Sequence, residues 1–279
     1  MMEQMSVLVN CAKCPRPVCN SPAWADGPAN CPLNVLPEVI NKATEQCFSP
    51  EFHDFALKAS KQEGSGYMRL PHAPRSASPI KSRVEEVMEF AKRMGYRRLG
   101  IAYCAGVQFE AGLLVPILEN RGFEVISVSC KCGSVRKEEL GIEDWEKVLP
   151  GHFEAMCHPI AQADILNSYK TDLNVMLCLC VGHDSLFLKH SEAPCTVLAA
   201  KDRVYGHAPL MGLYQSKSYH RRVMANEIPR SRTNSAIRGD GTSPLSSDTT
   251  SSFVIGFADF CAAHKGDNIM ASITAQATP

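Results

Sequence analysis

The stretch Leu173-Asn-Val-Met-Leu-Cys-Leu-Cys-Val-Gly-His-Asp184 joins an apolar run to a turn and then to the start of a helix. The run over residues 173–179 predicts a strand that is buried on both faces, as the strands of a parallel sheet are. Gly182 suits the turn, and Asp184 is a residue type that caps helices. Cys180 therefore lies at the exit of a buried strand.

The same arrangement recurs earlier in the chain, since Cys104 and Cys130 each follow an apolar run of strand length. Parallel strands bring their carboxyl ends to one edge of a sheet, where open α/β folds bind their ligands. Cys157 precedes a helix predicted from Pro159, and helix N-termini favour thiolates. The sequence predicts that four thiols converge as a strand-end set: Cys104, Cys130, Cys157 and Cys180.

Around these cysteines the chain alternates short apolar runs with amphipathic helices, which predicts an α/β fold. The predicted strands are 99–103, 123–129, 173–179 and 195–200. A helix capped by Ser82 and ended by Gly95 precedes them, and others are predicted over 109–120, 159–167 and 184–189, with a helical excursion over 133–151. We expect a Rossmann-like three-layer arrangement, a parallel sheet with helices on both faces, plus a cysteine-rich N-terminal loop module.

Composition divides the chain into three parts. Residues 1–79 form a head rich in cysteine and proline with a linker, because dense prolines oppose long helices and central strands. Within it, residues 64–66 and 71–79 are predicted as turns or linker. Residues 80–224 form the α/β domain. Residues 225–279 are rich in Ser, Thr and Gly and are predicted to be a disordered tail.

The head contains its own group of thiols. Cys11 and Cys14 have the C-x-x-C spacing with which two thiolates bind one metal ion, and Cys19 and Cys31 would complete a four-thiolate site. The spacing matches neither a standard zinc finger nor the bacterial ferredoxin pattern, so it leaves the metal open. Free or redox-active thiols are the alternative.

The overall composition narrows the function classes. Lys and Arg number 29, as do Asp and Glu, which argues against a protein that coats nucleic acid. Neither a signal peptide nor an apolar run long enough for a membrane helix is present, so we expect a cytoplasmic protein without a membrane partner. In the reducing cytosol, thirteen cysteines point to metal or redox chemistry rather than to disulfides, although several are expected to be simple core residues.

Several residues near the strand ends have alternative interpretations. His183 is either a fifth ligand or a residue that orients a substrate, and a hydrogen-bonding surface role is the simpler alternative; His158 is the weaker candidate of the two. Cys178 is expected in the core, and Cys132 lies close enough in sequence to join the set. We interpret Cys47, Cys195 and Cys261 as structural or incidental.

Charged residues follow the last predicted strand. Lys201, Asp202 and Arg203 lie where they could bind a small anionic ligand or cofactor, and a solvated strand exit with an internal ion pair is the alternative. The glycine-rich phosphate loops G-x-G-x-x-G and G-x-x-x-x-G-K-[ST] are missing, which disfavours a nucleotide-dependent enzyme.

The sequence resembles a known family at Gly100–Gly106, at Cys157-His-Pro-Ile-Ala-Gln-Ala163, and most specifically at Leu179-Cys-Val-Gly-His-Asp-Ser-Leu-Phe187. It is similar there to uncharacterised conserved cysteine-rich metal-binding proteins, a domain of unknown function of anaerobic prokaryotes. The resemblance covers about residues 8–224 and implies metal binding by cysteines, with no established reaction. The chain departs from the pattern at His158, where asparagine is usual, at Cys178, where glycine is usual, and in the tail.

These observations predict a metal-binding protein that uses two cysteine sets. An iron–sulfur cluster with a redox role is favoured at the strand ends, and zinc is nearly as suitable in the head. The partners would be the metal ion or cluster and either a redox protein or a small anion. Two alternatives stay open: an enzyme with Cys180 as nucleophile and His183 as base, and a structural zinc module for interactions. The sequence does not decide whether the protein is an enzyme.

Overall fold

The computed structural model of the chain describes residues 8–21, 27–70 and 73–225. The predicted tail, apart from its first residue, lies outside these ranges. The helices are α1 (Pro32–Val35), α2 (Pro37–Cys47), α3 (His53–Ser65), α4 (Arg83–Met94), α5 (Gln108–Glu119), α6 (Pro159–Ser168), α7 (His183–His190) and α8 (Leu210–Tyr214). The strands are β1 (Tyr67–Leu70), β2 (Ala73–Pro79), β3 (Arg98–Tyr103), β4 (Glu124–Ser129), β5 (Leu173–Leu177) and β6 (Cys195–Ala199).

A four-stranded parallel sheet organises the fold, in the order β4-β3-β5-β6. β3 pairs with β4 along its whole length, from Arg98 opposite Glu124 to Tyr103 opposite Ser129. On its other side β3 pairs with β5, so two of the predicted cysteine-bearing strands flank the third. The predicted α/β fold is thereby confirmed, and the sheet and helices are consistent with a Rossmann-like fold.

Local sequence accounts for the helix that precedes the sheet. The Ser82 side chain accepts a hydrogen bond from the backbone N–H of Glu85, and the Glu85 carboxylate accepts one from the N–H of Ser82. Gly95, with φ of 78°, ends the helix in the left-handed conformation that glycine adopts readily. The predicted boundaries of α4 are confirmed.

Alternation along β3 divides the core into two clusters of buried residues. Leu99 and Ile101 belong to a cluster with α4 and α5, whereas Ala102 belongs to a cluster that includes Ala163 and Leu166 of α6. Successive side chains of a strand point to opposite faces of its sheet, and this period explains the division. The three-layer arrangement with a separate cysteine-rich loop module stays a prediction.

Two segments differ from their predictions. Residues 73–79, predicted as part of a linker, form β2, which pairs antiparallel with β1 from Tyr67 opposite Pro79. Prolines are tolerated there because a two-stranded ribbon consists of edge strands, whose outer N–H groups need no partner. The predicted helical excursion over 133–151 contains two short 3₁₀ helices, Lys137–Leu140 and Asp144–Glu146.

The described residues up to Met224 belong to one compact unit, and the predicted boundary between head and α/β domain remains a prediction. None of the helices in the described ranges has both the length and the apolar character that crossing a bilayer requires.

A buried amide sits at the centre of the sheet. The Asn174 side chain on β5 accepts a hydrogen bond from the Thr171 hydroxyl at 2.8 Å and donates one to the Ser191 hydroxyl at 2.8 Å. Gly100 faces it from β3, and a Cβ at Gly100 would lie 2.0 Å from Asn174 Oδ1 and 2.9 Å from Leu166 Cδ1. Only glycine leaves room for this amide and for the close approach of α6.

Replacing Gly100 by alanine should destabilise the fold by about 1–3 kcal/mol, the usual cost of an added methyl group in a packed core. Gly112→Ala is the matched control, because a Cβ at Gly112 meets nothing within 4 Å and alanine is favoured in a helix by about 1 kcal/mol. Urea unfolding monitored by circular dichroism measures both. Equal stabilities for the two variants would contradict the packing described here.

Candidate functional site

The backbone hydrogen bonds that pair the parallel strands continue one residue beyond β3 and β4, at Cys104 and Cys130. The N–H of Cys104, one residue beyond β3, donates to the Leu177 carbonyl at 3.1 Å. The N–H of Cys130, one residue beyond β4, donates to the Tyr103 carbonyl at 2.8 Å. Both residues are buried. The backbone therefore holds the two thiols side by side at the carboxyl edge of the sheet.

Three thiols of the predicted strand-end set form a hydrogen-bonded chain, here called the thiol triad: Cys104, Cys130 and Cys157. Cys130 is the central member and is hydrogen-bonded to both others. Its thiol proton makes it the donor, so these two bonds raise the pKa of Cys130, and burial raises it further. The sequence reasoning brought these residues to one edge, and the structure places them together.

The outer thiols of the triad are the acidic ones. The hydrogen bond from Cys130 lowers the pKa of Cys104 to about 4, with help from the Gly106 N–H and the Lys201 ammonium group and against the effect of burial. The hydrogen bond from Cys130 also lowers the pKa of Cys157, to about 5. Burial opposes this shift, and the charges of Lys131 and His183 add to it. The lowered pKa values favour the thiolate at Cys104 and Cys157, and the raised pKa favours the thiol at Cys130.

Backbone and side-chain donors surround these sulfurs. The Ala105 N–H donates to Cys130 Sγ at 3.3 Å. The Lys201 ammonium group interacts with the Cys104 sulfur, and both groups border Gly106, whose Cβ would lie 3.6 Å from Lys201 Nζ and 3.9 Å from Cys104 Sγ. Lys131 also donates to the Ala155 carbonyl. The positive charges offset the cost of holding two thiolates at a half-buried edge.

Cys180 has a different partner. It lies on the turn between β5 and α7, and its Sγ accepts a hydrogen bond from Arg203 Nη2 at 3.0 Å. The imidazole of His183 faces the Cys157 thiolate, whose pKa it helps to lower, and its buried Nδ1 has no hydrogen-bond partner among the described residues. The roles of Cys180 and His183 as ligands stay predictions.

The neighbouring cysteine and histidine residues have contacts of their own. β5 ends at Leu177, earlier than predicted, and the buried Cys178 has φ of 55°. Glycine suits such a conformation better than any residue with a Cβ. The His158 Nδ1 accepts a hydrogen bond from the Ala161 N–H at 3.2 Å and so caps α6. Burial raises the pKa of Cys132, whose sulfur lies 4.0 Å from the His158 carbonyl oxygen.

The charged residues after β6 have three distinct contacts. Lys201 lies beside Cys104 and Arg203 beside Cys180. The Asp202 carboxylate accepts hydrogen bonds from the N–H groups of Val204 and Tyr205, both at 2.9 Å, and so shapes the following turn. Binding of an anionic ligand by these three residues stays a prediction.

Gln162 is a residue of the site to which the sequence analysis assigned no role. Its side chain is fully buried, and its Nε2 donates to the carbonyls of Val128 at 2.8 Å and Tyr103 at 3.2 Å. It thereby joins the ends of β3 and β4 directly beneath the triad. Its role depends on contacts with two distant strand ends, which no local sequence signal indicates.

The four predicted cysteines of the head line one cavity of about 60 Å³. Cys31 is buried, and its N–H donates to the Pro28 carbonyl at 2.8 Å. Asn34 Nδ2 donates to the carbonyls of Gly27 and Pro28 and holds this loop. Cys11, Cys14, Cys19 and Cys31 thus line the same cavity, and their role as metal ligands stays a prediction.

The donor chemistry of both sets fits a thiophilic metal, because closely spaced thiols, some of them ionised, are soft ligands. Their arrangement is less complete: among residues 8–21, 27–70 and 73–225, no three Cys, His, Asp or Glu side chains are placed to hold one ion. The described cysteines are all free thiols. Cys47 and Cys195 lie outside both sets, and Cys261 lies outside the described residues.

The ionisation of the triad predicts thiolate absorbance at low pH. In metal-free, reduced protein the ultraviolet thiolate band of Cys104 and Cys157 should be present at about pH 7, where an ordinary thiol is mostly protonated. Because both pKa values are lowered, the band should disappear only as the pH falls through about 5 and about 4. The Cys104→Ser, Cys157→Ser double variant should lack it, and Cys47→Ser should retain it. A band that appears only above pH 8 would contradict this ionisation pattern.

Comparison with known proteins identifies two similarities. The sequence profile of a family described as "protein of unknown function (DUF1847)" matches residues 31–198, more than half of the chain. An uncharacterized protein of the archaeon Methanocaldococcus jannaschii is 44% identical over 144 residues, which cover 52% of this chain and 72% of that protein. The matched region includes the whole thiol triad and Cys180 but, of the head cysteines, only Cys31.

Proposed function

Since the chain belongs to the DUF1847 family, for which no activity is described, we propose a function from its site: the protein binds a thiophilic metal through the thiol triad. One observation carries the proposal, namely that three thiols share hydrogen bonds at the edge of a parallel sheet while backbone N–H groups and lysines face their sulfurs. N–H groups directed at sulfur are a common means of tuning metal–thiolate sites.

Cys104, Cys130 and Cys157 would hold the metal, and Cys180 is the nearest further thiol in the fold's strand-end set. A bound iron–sulfur cluster would supply one-electron transfer or Lewis acidity, and zinc would supply Lewis acidity or structural support. Because the described side chains are not already placed around one point, the thiols would reorient on loading. A redox partner protein is part of the proposal only in the iron–sulfur case.

The residues around the triad support it in distinct ways. Lys201 and Lys131 neutralise the charge of the outer thiolates, which would otherwise repel each other. Gln162 positions the strand ends, and the Ala105 N–H orients the Cys130 sulfur. The shared thiol proton on Cys130 leaves when all three sulfurs become ligands, so metal uptake releases a proton.

The head is the second part of the proposal and would hold zinc. Its four cysteines line one cavity of about 60 Å³, and three of them also line a neighbouring cavity of about 390 Å³. Closed sites of four cysteines are typical of structural zinc. Chelation should then loosen the head without changing any metal bound at the triad.

Metal analysis and a visible spectrum of protein purified without oxygen test the triad. Cys130→Ser should lower metal affinity by at least about tenfold, because the central sulfur contacts both neighbouring thiols. Cys31→Ser should remove only metal held by the head. Iron with equal acid-labile sulfide identifies a cluster, and zinc alone identifies a zinc site.

Cys47→Ser, at an exposed cysteine outside both sets, is the matched control and should leave metal content unchanged. A wild-type protein without metal, after reconstitution with iron and sulfide and separately with zinc, would refute the proposal. So would a Cys130→Ser protein with unchanged content and spectrum.

The hydrogen bond between Arg203 and Cys180 favours a second candidate function, a nucleophilic cysteine. Arg203 Nη2 places a positive charge 3.0 Å from Cys180 Sγ, on a turn that leaves the thiol partly accessible. Positively charged surroundings of this kind are typical of reactive cysteines. His183 is not hydrogen-bonded to this thiol in the described structure, so Arg203 rather than His183 would activate it.

Alkylation of the metal-free protein distinguishes this candidate. Arg203→Met should slow the reaction of Cys180 with iodoacetamide about tenfold, near the lower limit of what a charge-assisted hydrogen bond contributes. Arg222→Met is the control and should leave the rate unchanged. Mass spectrometry of the Cys180 peptide gives the rate, and equal rates in wild type and Arg203→Met would eliminate the nucleophile.

A further inference from the structure

One cavity formed by the described residues lies away from both thiol sets. It measures about 400 Å³, within the range of small-molecule sites, and lies between α3, α4 and the first residues of β5 and β6. Leu173 and Cys195 begin those strands, so the cavity is at the amino edge of the sheet, opposite the thiol triad. We call it the α3–α4 cavity.

Its floor is apolar and partly aromatic. Phe55 of α3 and Phe90 of α4 form an edge-to-face pair with ring centroids 5.4 Å apart. Val87 and Leu173 complete this surface from α4 and β5. Aromatic rings in this arrangement favour flat apolar groups and also attract cations over their faces.

Two carboxylates without partners lie at the polar side of the cavity. Glu63 and Glu86 both line it, and neither carboxylate has a hydrogen bond or ion pair with any residue in the described ranges. Gly66 provides the room for Glu86, because a Cβ there would lie 2.9 Å from Glu86 Oε1. The positive group that also lines the cavity, Arg83, donates to the Thr196 hydroxyl at 2.8 Å.

The negative end of α3 already has a positive partner. Glu63 lies in the last turn of α3, where the helix dipole is negative. Arg93 of α4 donates in that turn to Ser65 Oγ at 3.2 Å and to Gln62 Oε1 at 3.4 Å. The attraction for a cation therefore comes from the two carboxylates and not from the helix end.

We propose that the α3–α4 cavity binds a small organic cation, with its ammonium group between Glu63 and Glu86 and its apolar body on Phe55 and Phe90. Charge complementarity selects the cation over an anion, and the aromatic floor selects an organic ion over a bare metal ion. Neither thiol set takes part in this binding, so the site operates whether or not the protein holds a metal.

Isothermal titration calorimetry of the full chain with three probes of similar shape tests the proposal. 2-Phenylethylammonium should bind with Kd of about 1 mM or better, and at least about tenfold more tightly than uncharged 2-phenylethanol or anionic 3-phenylpropionate. The Glu63→Gln, Glu86→Gln double variant should bind the ammonium about tenfold more weakly. Glu119→Gln, at an exposed glutamate on α5, is the control and should bind as wild type does.

The position of the probe is tested independently through Cys195, whose side chain lines the cavity. Bound 2-phenylethylammonium should slow modification of Cys195 by a small methanethiosulfonate, measured by mass spectrometry, without slowing that of Cys47. Three results would each overturn the proposal: no binding of the ammonium at about 10 mM, equal binding of the alcohol or the carboxylate, or binding that leaves Cys195 unprotected.

Discussion

The hydrogen-bond ladder of the parallel sheet extends one residue beyond its strands, and the thiol chemistry of this protein depends on that extension. Cys104 donates to the Leu177 carbonyl and Cys130 to the Tyr103 carbonyl, as residues inside the strands would. Backbone bonds therefore set the positions of both thiols before any side-chain contact is made. A loop beyond the ladder would leave them free to separate, whereas here they stay adjacent in the metal-free chain.

Once the thiols are adjacent, electrostatics decides their state. Three thiolates at one buried edge would repel one another strongly, and burial disfavours each charge further. The structure avoids this by keeping the proton on Cys130 and placing Lys201 beside Cys104 and Lys131 beside Cys157. The same cations that stabilise the empty site would offset the charge of a thiolate-bound metal. The positions of the two lysines therefore match those of the two outer cysteines, whose negative charge they offset.

Sequence patterns predicted the sheet and grouped all three cysteines of the triad, together with Cys180, because both predictions follow from local rules. An apolar run ended by cysteine marks a strand end, and a capping serine with a terminal glycine marks α4. The patterns could identify neither the role of Gln162 nor the contact of Arg203 with Cys180, since both depend on contacts between distant parts of the chain. The sequence did not predict β2, because its prolines oppose a central strand. Prolines are accepted in the two-stranded ribbon of β1 and β2, since both of its strands are edge strands.

The core and the thiol edge are mechanically connected through α6. Leu166 packs against the position of Gly100, where the missing side chain allows the helix to approach β3 closely. Gln162 lies one turn earlier on the same helix face, four residues away, so its depth follows from that contact. Only at this depth does its Nε2 reach the Val128 and Tyr103 carbonyls that precede the cysteines. The missing side chain of Gly100 thereby lets α6 place Gln162 against the two strand ends that the cysteines follow.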